Sequence, residues 1–137
     1  MANGTIAFDT LSTSGQISGT AKSVDTDYVV SGSGKVWIKK AADGASILGS
    51  FNVSSLTDTA TGQFSVVINN NMGNANYACS SVIFNDNGTV IETCEIRSSS
   101  PAPATGSFGA ENAYVNSSTN RTDNDSISSI IVHGDLA

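Results

Sequence analysis

Charge is scarce in this chain, and the scarcity sets the first limits. Six Lys and Arg, twelve Asp and Glu and one His give 13% charged residues across 137, with a formal net charge of -6; soluble domains typically carry about 25%. With no basic stripe to displace counterions from phosphates, nucleic acid is excluded as a partner, and an anionic membrane surface is disfavoured for the same reason. No apolar run approaches the ~18 residues that would span a bilayer, so no membrane insertion is expected. The opening "MANGTIAFDT" lacks a basic stretch followed by a long apolar one, so no secretory signal is expected and the product is expected to be made in a cytoplasm. Only two prolines punctuate the chain.

What is present is hydroxyl and amide. The polar remainder is mostly Ser, Thr, Asn and Gly, residues that compete with a helix backbone, while Thr and Val sit well on a pleated sheet. Apolar residues recur with the two-residue period of half-buried strands. Ile6 and Phe8 share one face, Tyr28 and Val30 a second, and Val36 and Ile38 alternate with Lys35, Trp37 and Lys39. A hairpin is expected with Phe51 and Val53 on one arm, Phe64, Val66 and Ile68 on the other, and "TDTATG" as its tip. Ile130 and Val132 are in register in the closing "SISSIIVHGDLA", where His133 is expected to cap the final strand. Turn signals at strand-length spacing point to an all-β fold, an antiparallel β-sandwich of jelly-roll type formed as a single domain over 1–137. Between 98 and 125 the pattern weakens, and a long loop or arm is expected there, with Phe108, Tyr114 and Val115 able to form one short strand.

Both cysteines flank "NDNG", inside "NYACSSVIFNDNGTVIETCEI". A hairpin turning on Asp86 and Asn87 would oppose Ile83 to Val90, Ser81 to Glu92 and Cys79 to Cys94, close enough for a disulfide. A turn shifted to Asn87 and Gly88 would oppose Cys79 to Ile96 instead. The alternatives are a cross-strand disulfide between Cys79 and Cys94 or two buried thiols. As a metal pair they lack partners, since His133 is the single histidine. A nucleophile set of Cys79, His133 and Asp135 has no recognisable sequence context. The acidic clusters Asp25 with Asp27, Asp86 between Asn85 and Asn87, and Asp123 with Asp125 match no calcium loop and read as Asp/Asn turns. Trp37 and Tyr28 could stack on sugar rings, but strand aromatics are expected in the core. No catalytic residue, metal ligand or cofactor is assigned.

The segments "GTIAFDTLSTSG", "GTAKSVDTDYVVSGSGKVWIK", "SFNVSSLTDTATGQFSVVI", "NANYAC" and "IVHGDLA" resemble a group of small β-rich virion proteins of tailed bacteriophages, found as stand-alone proteins and as terminal modules of phage fibres. The likeness covers most of the chain and is weakest at 98–125. It implies a non-enzymatic virion structural protein on the particle surface: a homotrimeric capsid decoration or head-fibre knob, bound to other virion proteins. The alternative is the receptor-binding terminal module of a tail fibre, with a host surface glycan or protein as ligand. A glycan-acting enzyme is the third reading. For a trimer, outward apolar residues such as Val29, Val67 and Ile91 need cover, and the chain ends and 98–125 are the expected contacts.

Overall fold

The computed structural model describes residues 32–84, 90–98, 101–115 and 121–137, together with the backbone of 16–18 and 23–25. Ile6, Phe8, Tyr28, Val29 and Val30, and the "NDNG" turn, lie outside the described residues. All elements are strands: β1 (Gln16–Ser18), β2 (Ser23–Asp25), β3 (Gly34–Lys40), β4 (Ile47–Phe51), β5 (Val53–Ala60), β6 (Gln63–Ile68), β7 (Ala78–Phe84), β8 (Ile91–Ile96), β9 (Ser107–Val115), β10 (Arg121–Asp123) and β11 (Ile127–His133). β1 and β2 form a separate antiparallel pair. The others make two antiparallel sheets: a four-stranded one in the order β4-β3-β11-β7, and a five-stranded one built on β9. Together they form the expected β-sandwich.

Two-residue alternation decides what goes inside. Val36 and Ile38 of β3 and Ile130 and Val132 of β11 face Phe64, Val66 and Ile68 of β6 and Phe108 and Ala110 of β9, all at most 3% exposed. Each large side chain so buried contributes roughly 1.5–3 kcal/mol. Tyr77 closes one end edge-on to Phe108, at 6.5 Å between ring centroids, with its hydroxyl 3.1 Å from both the Ala104 and the Ser107 carbonyl oxygens.

In the five-stranded sheet, β9 pairs through Ser107–Val67 to Glu111–Gln63 with β6, and through Ala113–Asp123 to Val115–Arg121 with β10. β8 pairs with 110–115 and so must occupy the opposite edge. β6 and β10 therefore lie end to end along one side of β9. Their junction is Asn112, whose N–H donates to the Gly62 carbonyl at 2.8 Å and whose carbonyl accepts from Asn124 N–H at 3.1 Å. Gly62 has φ 71°, and a Cβ there would stand 2.4 Å from the Asn112 oxygen, so no other residue fits the turn.

This overturns the expected arm at 98–125. β9 is the central strand of its sheet, and loop-like composition concealed it: Gly109 accepts the chain at Pro101 against its outer face, where a Cβ would meet Pro101 Cδ at 2.7 Å, and Ala110 and Ala113 are small because both faces are covered. The expected hairpin tip is also tighter. Strand pairing runs on to Ala60–Gln63, leaving Thr61 and Gly62 as the turn.

Phe51 and Val53 are not one arm of that hairpin. Phe51 ends β4 in the four-stranded sheet, Val53 begins β5 in the other, and the chain crosses between sheets at the single residue Asn52. Asn52 has φ 56°, a left-handed conformation that Asn tolerates better than most residues. Its side chain secures the crossing. Nδ2 donates to the Lys35 and Asn70 carbonyls at 3.1 and 3.0 Å, and Oδ1 accepts from Asn70 N–H at 2.7 Å. Asn52→Ala loses these bonds, at ~1 kcal/mol each, and strains the backbone by ~1–2 kcal/mol. A destabilisation of about 4–5 kcal/mol is expected in urea titrations, with Asn52→Gly milder by the strain of about 1–2 kcal/mol. Equal losses for the two variants would show that the left-handed turn carries no strain.

Candidate functional site

The cysteines do not share a hairpin. β7 pairs with β11, placing Cys79 opposite Val132, whereas β8 pairs with β9, placing Cys94 opposite Asn112. The two strands belong to different sheets, facing each other across one edge of the sandwich, where Ser81 Oγ donates to the Cys94 carbonyl at 2.5 Å. "NDNG" is a turn signal in either arrangement; what it joins is decided by the better partners that β11 and β9 offer. Both thiols are free and partly buried against the core. Burial pushes Cys79 up to about 11 and raises Cys94, the latter in spite of hydrogen bonds with Ser128 and Ser81. That is the wrong direction for a nucleophile.

The set of Cys79, His133 and Asp135 is not assembled. His133 is opposite Ala78, one position along from the Cys79–Val132 pair, and alternation sends it to the outer face. A Cβ on Gly34 would meet both Ile131 Cγ2 and His133 Cε1 there. Asp123 and Asp125 are separated too: Asp123 accepts from Arg121 at 3.1 Å and Gln63 at 3.2 Å, and Asp125 from Gly62 N–H at 2.9 Å. Among the described residues no three His, Cys, Asp or Glu side chains come together to hold a metal, and no helix is long and apolar enough to cross a membrane.

A polar cluster that sequence reasoning missed fills one end of the interior. Lys40 is 1% exposed, in phase with Val36 and Ile38, and its ammonium donates to the Ala41 carbonyl at 2.9 Å and the Ser126 carbonyl at 3.0 Å while lying 5.1 Å from the Phe64 ring centroid. Burial lowers its pKa; Asp125, Cys94, Asp43 and Asp58 oppose that shift. Asn112, wholly buried, donates through Nδ2 to the same Ser126 carbonyl at 2.9 Å and to Ser128 Oγ at 3.3 Å. Beside it, β7 and β8 leave an open cleft of about 410 Å³ lined by Ser81, Ile83, Glu92 and Cys94 among others.

A second cleft, of about 320 Å³, opens on the five-stranded sheet beside Glu95, Arg97, Glu111 and Arg121. Its charges answer one another: Glu111 bridges Arg97 at 3.6 Å and Arg121, and Arg97 also donates to Gln63 at 2.8 Å.

The outer face of the four-stranded sheet is different. Trp37 is paired with Phe51 on β4 and Ile131 on β11, and Val82 and Phe84 continue the same face on β7. These five are 42–57% exposed. The expectation that Trp37 lies in the core is therefore corrected: it shares its face with Lys35 and Lys39, and the ring rests over Gly49, whose Cβ position is 3.3 Å from it. Lys39 Nζ sits 4.4 Å from the Phe84 ring centroid, a cation–π contact. Such a stripe can bury itself against protein or stack on a planar or sugar-like ligand.

Compared with known proteins, the chain matches no family model, no curated protein and no solved structure.

The thiols give a pH dependence with a definite sign. Unfolded Cys79 loses its proton near 9.0 and the folded residue near 11, so between these values the native state holds more protons and stability falls as pH rises. Lys40, its pKa lowered from 10.5, acts in the opposite sense just below that value. Urea midpoints of the protein should decline from about pH 9 to about pH 11, and Cys79→Ala should flatten the decline. An unchanged slope in that variant would assign the effect elsewhere.

Proposed function

We propose that this protein is a non-enzymatic surface component of a tailed-bacteriophage virion, a capsid decoration or head-fibre knob, assembled as a homotrimer through the outer face of its four-stranded sheet. The supporting observation is the exposed stripe of Phe51, Trp37, Ile131, Val82 and Phe84. A contiguous apolar face on a compact sandwich marks a place where another molecule sits. The resemblance of the sequence to phage virion proteins supplies the particle.

The occupant is a second copy of the chain, on grounds of charge. Lys35 and Lys39 stand on this face outside the ion pairs among the described residues, which join Arg97 and Arg121 to Glu111 and Asp123. The chain as a whole is at -6, so another copy offers the acidic surface that two lysines favour. A contact between unlike faces closes into a ring when the rotation permits. β9 is the central strand of its own sheet, and we place the contacts on the four-stranded sheet in preference to 98–125 and the chain ends. Three copies would then hold a capsid by avidity. The aromatic pair Trp37 and Phe51 favours one second reading, the receptor-binding module of a tail fibre with a host glycan stacked on that pair.

Light scattering should give a mass three times 14.0 kDa. Val82→Glu, which keeps the sandwich by circular dichroism, should weaken assembly at least ~10-fold, since a charge is brought into a desolvated contact. A monomeric wild type, or a variant that assembles normally, refutes the interface. Antibody labelling of purified virions should mark heads; labelled tail tips would favour the second reading, and unlabelled particles would remove the virion assignment.

A further inference from the structure

We infer that the inner end of the cleft between β7 and β8 is a binding site for a hard cation of the calcium class, held by Glu92, Asn112 and Asn124. It is independent of the particle to which the chain belongs. Three oxygens there are buried without a hydrogen-bond donor: Glu92 Oε2, Asn112 Oδ1 and Asn124 Oδ1. Asn112 is 0% exposed. Buried acceptors are almost always partnered, and three in one cluster call for an electropositive ligand.

The cluster is tied together through Ser126. Asn112 Nδ2 donates to the Ser126 carbonyl, and Asn124 Nδ2 donates to Ser126 Oγ at 2.6 Å and reaches Glu92 Oε1 at 3.5 Å. Asn112 and Asn124 are also joined through their backbones. These contacts fix which way the amides face, because turning Asn112 over would set its oxygen against the Ser126 carbonyl. Both amide nitrogens are therefore engaged and both amide oxygens remain. The carboxylate of Glu92 takes part in none of the ion pairs of the described residues.

Amide and carboxylate oxygens suit calcium-like ions and are a poor set for zinc or copper. Cys94 lines the same cleft, but the three unpartnered atoms are all oxygens, so the donor set is a hard one. Of the three ligands Glu92 lines the open cleft, so an ion would enter, with water to complete its coordination, from the Glu92 side. Affinity is expected to be modest, about 10⁻⁴ to 10⁻³ M, as in sites with few charged ligands; Lys40, bonded to the Ser126 carbonyl, adds a like charge nearby. The motif 123–126 that reads as an acidic turn thus contributes through its asparagine, while Asp123 and Asp125 are engaged elsewhere.

The test uses the full chain with Ca²⁺ alone, against Mg²⁺ and a sodium background. Calorimetric titration and thermal unfolding should show millimolar binding and a raised midpoint with Ca²⁺. Glu92→Gln removes the charge and adds an N–H that can satisfy a neighbouring amide oxygen. This variant should be at least as stable as wild type without Ca²⁺, and bind Ca²⁺ at least ~10-fold more weakly. Should it fail to fold, Tb³⁺ luminescence on the wild type decides: Tyr114, cross-strand partner of Glu92, should sensitise it, Ca²⁺ should quench it by competition, and Tyr114→Phe should abolish it. A wild type indifferent to Ca²⁺ and dark with Tb³⁺ means that water alone fills the cluster and overturns the site, as does a Glu92→Gln protein that responds like wild type.

Discussion

One carbonyl oxygen, that of Ser126, holds the polar end of the sandwich together. It accepts from the Lys40 ammonium of one sheet and from the Asn112 amide of the other. Each donor has one further acceptor, the Ala41 carbonyl for Lys40 and the Ser128 hydroxyl for Asn112, and together these bonds offset the cost of burying a charge and an amide. Because Asn112 also supplies the backbone bridge between Gly62 and Asn124, the same residue marks the start of β6 and the end of β10. The apolar core fills the middle of the sandwich; at this end the two sheets meet at a single acceptor shared by two donors.

The parts of this fold that were legible in the sequence are those where alternation is strict and one face is wet. Val36 and Ile38, Phe64 to Ile68, and Ile130 with Val132 all face inward as their spacing implies. β9 was illegible because it is covered on both sides and built from Gly109, Ala110, Asn112 and Ala113, a composition that also describes a loop. The pairing of Cys79 with Cys94 failed for another reason: a turn motif reports that the chain reverses, not whether the two arms bond to each other or part to different sheets. Asn52 had the same effect between Phe51 and Val53. For the polar cluster one signal was available. Lys40 keeps the phase of Val36 and Ile38, so the alternation that buried them buries it also.

The two outer faces of the sandwich follow different rules. On the five-stranded sheet, arginines and carboxylates pair within the molecule, from the largely buried Arg97–Glu111 pair to the more open Arg121–Asp123 pair. On the four-stranded sheet the cations carry no such pairing, and the side chains between them are aromatic and aliphatic. A surface of the second sort is stable in isolation but sticky. The bulges in β4 and β5 twist the two edge strands on the Asn52 side, which discourages strand-to-strand addition there.

β11 occupies the centre of the four-stranded sheet, with β3 on one side and β7 on the other, and it follows every other described strand in sequence. A ribosome therefore releases β3, β4 and β7 long before the strand that joins them. Until β11 emerges, β3 has only β4 as a partner and β7 has none in its sheet, so two strand edges wait unpaired with their apolar residues uncovered. Closing that gap requires contacts between Val36 and Val132 across most of the chain, the kind of non-local pairing that slows folding and lengthens exposure to aggregation. The four-stranded sheet is thus completed by its last described strand, inserted between two that are already made.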